Sequence, residues 1–87
     1  SNFGEEVDIS EVRKGDLMLF KGRNASSNVI GHVALVAEVT EDGKIYIIHA
    51  TTMQGVVLEY VWATDYYKKR YVKTRRIPVN CDLVLDF

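Results

Sequence analysis

The chain has 87 residues, 47% of them hydrophobic and 26% charged. That is ordinary globular composition in a length that suits one small domain. A net charge of −1 carries no electrostatic footprint for nucleic acid or an anionic membrane, and no apolar run reaches the ~20 residues that span a bilayer as a helix. The single cysteine, Cys81, has no partner for an internal disulfide. No signal peptide is visible, and the abrupt start at "SNFGEE" is compatible with removal of an upstream segment.

Residues 1–12 are mixed and polar and read as an irregular lead-in. Lys14-Gly15-Asp16 supplies turn chemistry, with Asp16 in a structural role, and Leu17 to Phe20 form a short buried strand. "KGRNASSNVI" is a polar loop. Two apolar runs follow, "HVALVAEV" (32–39) and "KIYIIHA" (44–50). Asp42-Gly43 between them signals a type I′ hairpin turn. "TTMQG" is a second turn and "VVLEY" a further strand. "ATDYYKKRYV" predicts a short helix that Thr64 could cap. "TRRIPV" is a last strand, which Pro78 places near an edge or an end. The tail 80–87 alternates apolar and acidic residues, which suits an added edge strand or loose packing. The basic cluster "KKRYVKTRR" (68–76) reads as a solvated face, and Tyr66, Tyr67 and Tyr71 as packing rather than ligand binding. Arg75 and Arg76 are candidate contacts for a substrate carboxylate, although paired surface arginines are common.

About five strands joined by short turns pair antiparallel, so the expected fold is a curled antiparallel sheet with one short helix. Val33, Leu35, Ala37 and Val39 would face one way, and His32, Ala34, Val36 and Glu38 the other. Both sets are largely apolar and call for cover on both sides, which no helix in this chain is long enough to give. An exposed apolar face predicts association, by dimerisation or strand exchange.

The only two histidines, His32 and His49, lie at the far ends of these neighbouring runs. With a two-residue turn they share a face but are staggered by four residues, roughly 13 Å at ~3.3 Å per residue. A wider turn or a bulge reduces that to a diagonal of roughly 7–8 Å, within reach of long side chains. Paired imidazoles would give a base and the group that orients it, lacking only a nucleophile. The plain alternative is that each histidine merely finishes a strand, and spacing alone favours it. Two ligands are too few for zinc, so no metal site is expected.

At "GDLMLF", "GHVALV", "IIHATTMQGVVLEY" and "YYKKRYVKTRRI", in that order from about residue 12 to residue 77, the chain resembles the NlpC family of papain-like cysteine peptidases, which are bacterial cell-wall hydrolases. The resemblance implies a mainly β part of an α+β papain-like fold. Residues 13–79 would be the sheet half of the peptidase domain, with the helical subdomain missing. It implies His32 as general base and His49 as the residue orienting it. It also implies a peptidoglycan stem peptide as substrate, no cofactor, and action in the cell envelope or outside a bacterium. The family nucleophile lies upstream in a D-C-S-G motif that this chain does not contain. Cys81, in "VNCDLV" with no following helix, lacks the setting of a nucleophile. Ala34 and Val36 stand where the family often has Gly and Tyr. The open sheet face would be met by the missing N-terminal half of the domain or by another copy of this chain. A non-catalytic module that binds wall peptides or a partner protein, or a small β domain of unrelated role, is the alternative.

Overall fold

Alternation of apolar residues drives the chain into strands, and short turns make each strand pair with its neighbour. The computed structural model describes residues 4–77. Its elements are β1 (Glu5–Val7), a single 3-10 turn (Ile9–Glu11), β2 (Leu17–Lys21), β3 (Ile30–Val39), β4 (Ile45–Thr51), β5 (Gly55–Tyr60), α1 (Asp65–Arg70) and β6 (Tyr71–Arg76). The strands form one six-stranded sheet in the order β1-β6-β2-β3-β4-β5, and every pairing is antiparallel. The fold is thus mainly β with one short helix. Pro78, Cys81 and the tail 80–87 lie outside the described residues.

The sixth strand is β1, inside the segment expected to be irregular. Only Val7 of its three residues is apolar and buried, so alternation gives no warning of it. Its register supplies the reason: Glu5 stands opposite Arg76 and Glu6 opposite Arg75, and opposite charges directly across a ladder stabilise the pairing. Arg75 also donates from Nη1 to the Gly4 carbonyl at 3.1 Å. Arg76 donates from Nε and Nη2 to the Asp16 carboxylate at 2.9 and 3.0 Å. The guanidinium of Arg76 is therefore held by Asp16 and the Glu11 carbonyl rather than presented to a ligand. Asp16, buried, also accepts from the Arg13 N–H at 2.8 Å, as suits a structural residue.

One face of the sheet curls around the core, which contains Met18, Phe20, Ala34, Val36, Ile45, Ile47 and Val61, with Val39, Trp62, Tyr67 and Tyr71 packed against it. Irregular pairing at Leu19/Phe20, Phe20/Lys21 and Val36/Glu38 bends the strands, as bulges do. The helix α1 follows Thr64, which occupies the N-cap position without making a side-chain cap bond. Asp65 in its first turn and Lys68, Lys69 and Arg70 in its last complement the helix dipole. The Arg70 guanidinium donates to the Gly22 and Arg23 carbonyls, which ties α1 to the end of β2.

The opposite face keeps Val33, Leu35, Ile48 and Leu58 exposed, and no described helix covers it. Two residues of β3 differ from simple alternation. The bulge leaves Ala37 without a partner, since Val36 pairs with Ile47 and Glu38 with Tyr46. Beyond it the parity reverses, so Glu38 is exposed and Val39 packs on the core. Pure alternation had Glu38 with His32 and Val39 with Val33.

Candidate functional site

The β3–β4 connection is wider than a two-residue turn. A type I′ turn needs positive φ at both central residues, but of Asp42 and Gly43 only Gly43 has it, at 86°. Instead the Thr40 N–H donates to the Lys44 carbonyl at 2.9 Å, and the Lys44 N–H donates to the Thr40 hydroxyl at 3.0 Å. With the bulge at Ala37, this turn sets Leu35 opposite Ile48, which puts His49 level with Ala34. His32 and His49 then sit on one face, two residues apart along the strands.

The rings meet. His32 Nε2 lies 2.8 Å from His49 Nδ1, with ring centroids 4.9 Å apart and the planes nearly perpendicular at 82°. On its far side, His49 Nε2 lies 2.5 Å from Glu59 Oε2. Glu59 comes from β5, where Val57 pairs with His49 and Glu59 with Ile47, so the carboxylate sits diagonally across the same face. His49 is only 4% exposed. Three strands therefore contribute one line of polar groups, His32–His49–Glu59, to a face that is otherwise largely apolar.

Aromatic rings hold that line in place. Tyr67 of α1 stacks on His32 at 5.9 Å and 26° and meets His49 edge-on at 5.2 Å. Phe20, fully buried, abuts Tyr67 at 5.3 Å and His32 at 5.9 Å. Burial holds the His32 imidazole below the ordinary histidine pKa. A charge on His49 acts in the same direction, and Glu59 opposes it. The neutral imidazole, the form able to accept a proton, is thereby favoured near neutral pH. Burial pushes the Tyr67 phenol up, and Glu59 adds to that shift.

His32 opens onto a cleft of about 360 Å³ whose walls include Lys21, Arg23, Gly31, Thr51 and Tyr67. Its Nδ1 makes no hydrogen bond among the described residues, so one ring nitrogen is anchored and the other is available. Gly31 permits the approach of β2 to β3 here, because a Cβ on it would stand 2.7 Å from the Gly22 Cα. Among the described residues no group of three or more His, Cys, Asp or Glu could hold a metal ion. Arg76, a candidate contact for a carboxylate, is engaged by Asp16 on a different part of the sheet. Cys81 falls outside the described residues. Sequence reasoning missed Glu59, since "VVLEY" carries no motif. The available signal was its alternation, which sends Glu59 to the same side as Val57, opposite to Leu58.

The CHAP domain family model matches residues 2–51. The protein named Murein DD-endopeptidase MepS/Murein LD-carboxypeptidase is 31% identical to this chain over 74 residues in both Escherichia coli strain K12 and Escherichia coli O157:H7. The alignment takes in 85% of this chain and 34% of each relative, so the chain spans about a third of the length of the curated relatives it matches. Among the described residues no helix is long and apolar enough to cross a membrane.

Proposed function

The chain belongs to the CHAP domain family, and from that premise we propose that it is the sheet half of a peptidoglycan endopeptidase. His32 is the general base, His49 orients it, and the cysteine nucleophile is supplied by polypeptide outside these 87 residues. The observation that carries this reading is the anchored His32 ring, with Nε2 bound to His49 at 2.8 Å and the ring lining an open cleft. The murein-acting name of the matched relatives supports the substrate class, a peptidoglycan stem peptide. The bond cut is an amide of that stem peptide.

His32 takes the thiol proton, and the thiolate adds to the amide carbonyl carbon. The tetrahedral intermediate collapses as the imidazolium gives that proton to the leaving amine, leaving an acyl-thioester. Water, deprotonated by His32, then hydrolyses the thioester and returns the thiol. With that substrate, the protein works in the cell envelope or outside a bacterium.

The test compares the parent protein with the 87-residue chain on purified muropeptides, with products read by mass spectrometry. The parent should cleave, the chain alone should not, and His32→Ala in the parent should lower turnover by ~10²–10⁴-fold, the usual range for a positioned acid–base group. A parent that binds stem peptides without cleaving them would show a non-catalytic module. Rapid, pH-dependent labelling of Cys81 by a thiol probe in the isolated chain would overturn the assignment of the nucleophile.

A further inference from the structure

The line of polar groups ends on a carboxylate, and that end determines where every proton in it sits. An ionised carboxylate only accepts hydrogen bonds. Glu59 Oε2 faces His49 Nε2 at 2.5 Å, so that nitrogen carries the proton. With His49 neutral, its single N–H is on Nε2, which leaves a lone pair on Nδ1. That lone pair faces His32 Nε2 at 2.8 Å, so Nε2 of His32 must donate. The free lone pair of His32 is then on Nδ1.

We propose that Glu59 is a positioning residue: by accepting the His49 Nε2–H, its carboxylate fixes the tautomers of both rings and leaves Nδ1 of His32 as the basic atom. The inference rests on the reading of His32 as the base, but concerns which of its nitrogens acts. Without the carboxylate, His49 can place its proton on Nδ1 and donate to His32. The His32 proton then moves to Nδ1, the atom that has to be empty. When His32 becomes an imidazolium, the same line spreads the charge towards Glu59. In serine-triad hydrolases, trapping the wrong tautomer by an acid-to-amide change lowers kcat by ~10⁴-fold while leaving the geometry intact.

The charged and titratable groups around the two rings are few. Glu59 comes from β5, Tyr67 from α1, and Lys21 and Arg23 line the cleft beside His32 with Tyr66. Lys21 is engaged by the Ala25 carbonyl at 3.1 Å, and Tyr66 stacks under Arg70. Among the described residues of this face, Glu59 is the carboxylate bonded to a ring.

The test is long-range proton–nitrogen NMR of the histidine rings in the 87-residue chain, which reads tautomers without any nucleophile. Both rings should carry hydrogen on Nε2 above the titration range. Glu59→Gln should shift His49 wholly or partly to the Nδ1–H form and move the His32 titration midpoint down. Glu59→Asp, which retains the charge on a shorter arm, should restore part of both. In the parent protein, Glu59→Gln should lower kcat by ~10²–10⁴-fold, with a displaced acid limb in the pH profile. Hydrogen on His49 Nδ1 in the unmodified chain would overturn the proposal without any variant having to fold. So would a well-folded Glu59→Gln chain with unchanged tautomers and midpoint. Neither result bears on whether the parent cleaves wall peptides, so loss of one reading is distinguishable from loss of the other.

Discussion

Gly31 and Asp16 show how much single positions carry at the site and away from it. An added methyl at Gly31 would drive into backbone rather than into a flexible side chain, with the Gly22 nitrogen at 3.0 Å as well as its Cα. Gly31→Ala should cost about 1–3 kcal/mol as an overpacked contact and reshape the cleft wall next to His32. Urea unfolding and the chemical shifts of the His32 ring would read both effects. Asp16→Ala leaves the Arg13 N–H without its acceptor, a loss of about 1–3 kcal/mol, visible as a lower urea midpoint with an unchanged slope. The sequence makes Gly31 and Asp16 visible as motif residues but says nothing of what each one touches. Glu59 lies in a strand that any alternation rule finds, yet its value depends on a partner ten positions earlier in the chain. That partner is set by the β4–β5 register, which the sequence leaves open.

The strands, their antiparallel order and the short helix were legible from alternation and turn residues. What escaped depends on pairing. β1 places Glu5 and Glu6 opposite Arg76 and Arg75, and three residues without apolar alternation cannot announce that. Reversing both acids, Glu5→Lys with Glu6→Lys, should weaken the β1–β6 pairing by about 0.2–1 kcal/mol per pair. Faster amide exchange in residues 5–7 with little change in β4 would show it. The width of the β3–β4 turn was open on sequence grounds, because Asp42-Gly43 suits a tight turn and Thr40 suits a wider one. The backbone decides for the wider turn, and the bulge at Ala37 then reverses Glu38 and Val39. Within the core, Phe20 touches both α1 and the ring of His32. Phe20→Ala should cost about 3–5 kcal/mol, close to the whole stability of a small domain, and should broaden the His32 resonances.

At the scale of the molecule, two consequences follow from which groups the sheet buries. The His32 pKa is lowered on folding. Between the ordinary value of 6.5 and that depressed one, the unfolded chain therefore binds more protons than the folded chain. Stability should fall as pH drops through this window and show no further loss from this residue below it. Thermal midpoints between pH 7.5 and pH 5.5, taken as roughly one unit either side of a free histidine, should slope less in a His32→Gln chain. The second consequence lies on the other face, where Val33 at 48% and Leu58 at 63% exposure stand in water. Leu58→Lys should reduce self-association in light scattering while changing stability by about 0.5 kcal/mol or less, as surface substitutions do.

The polar line crosses β3, β4 and β5 on the diagonal, and that makes it a vernier for the sheet. Sliding any of the three strands by one residue turns its contributing side chain to the far surface, so a slip of β4 breaks both contacts and a slip of β3 or β5 breaks one. Proximity of the two rings is therefore a gauge of the β3–β4 register, and the His49–Glu59 contact of the β4–β5 register.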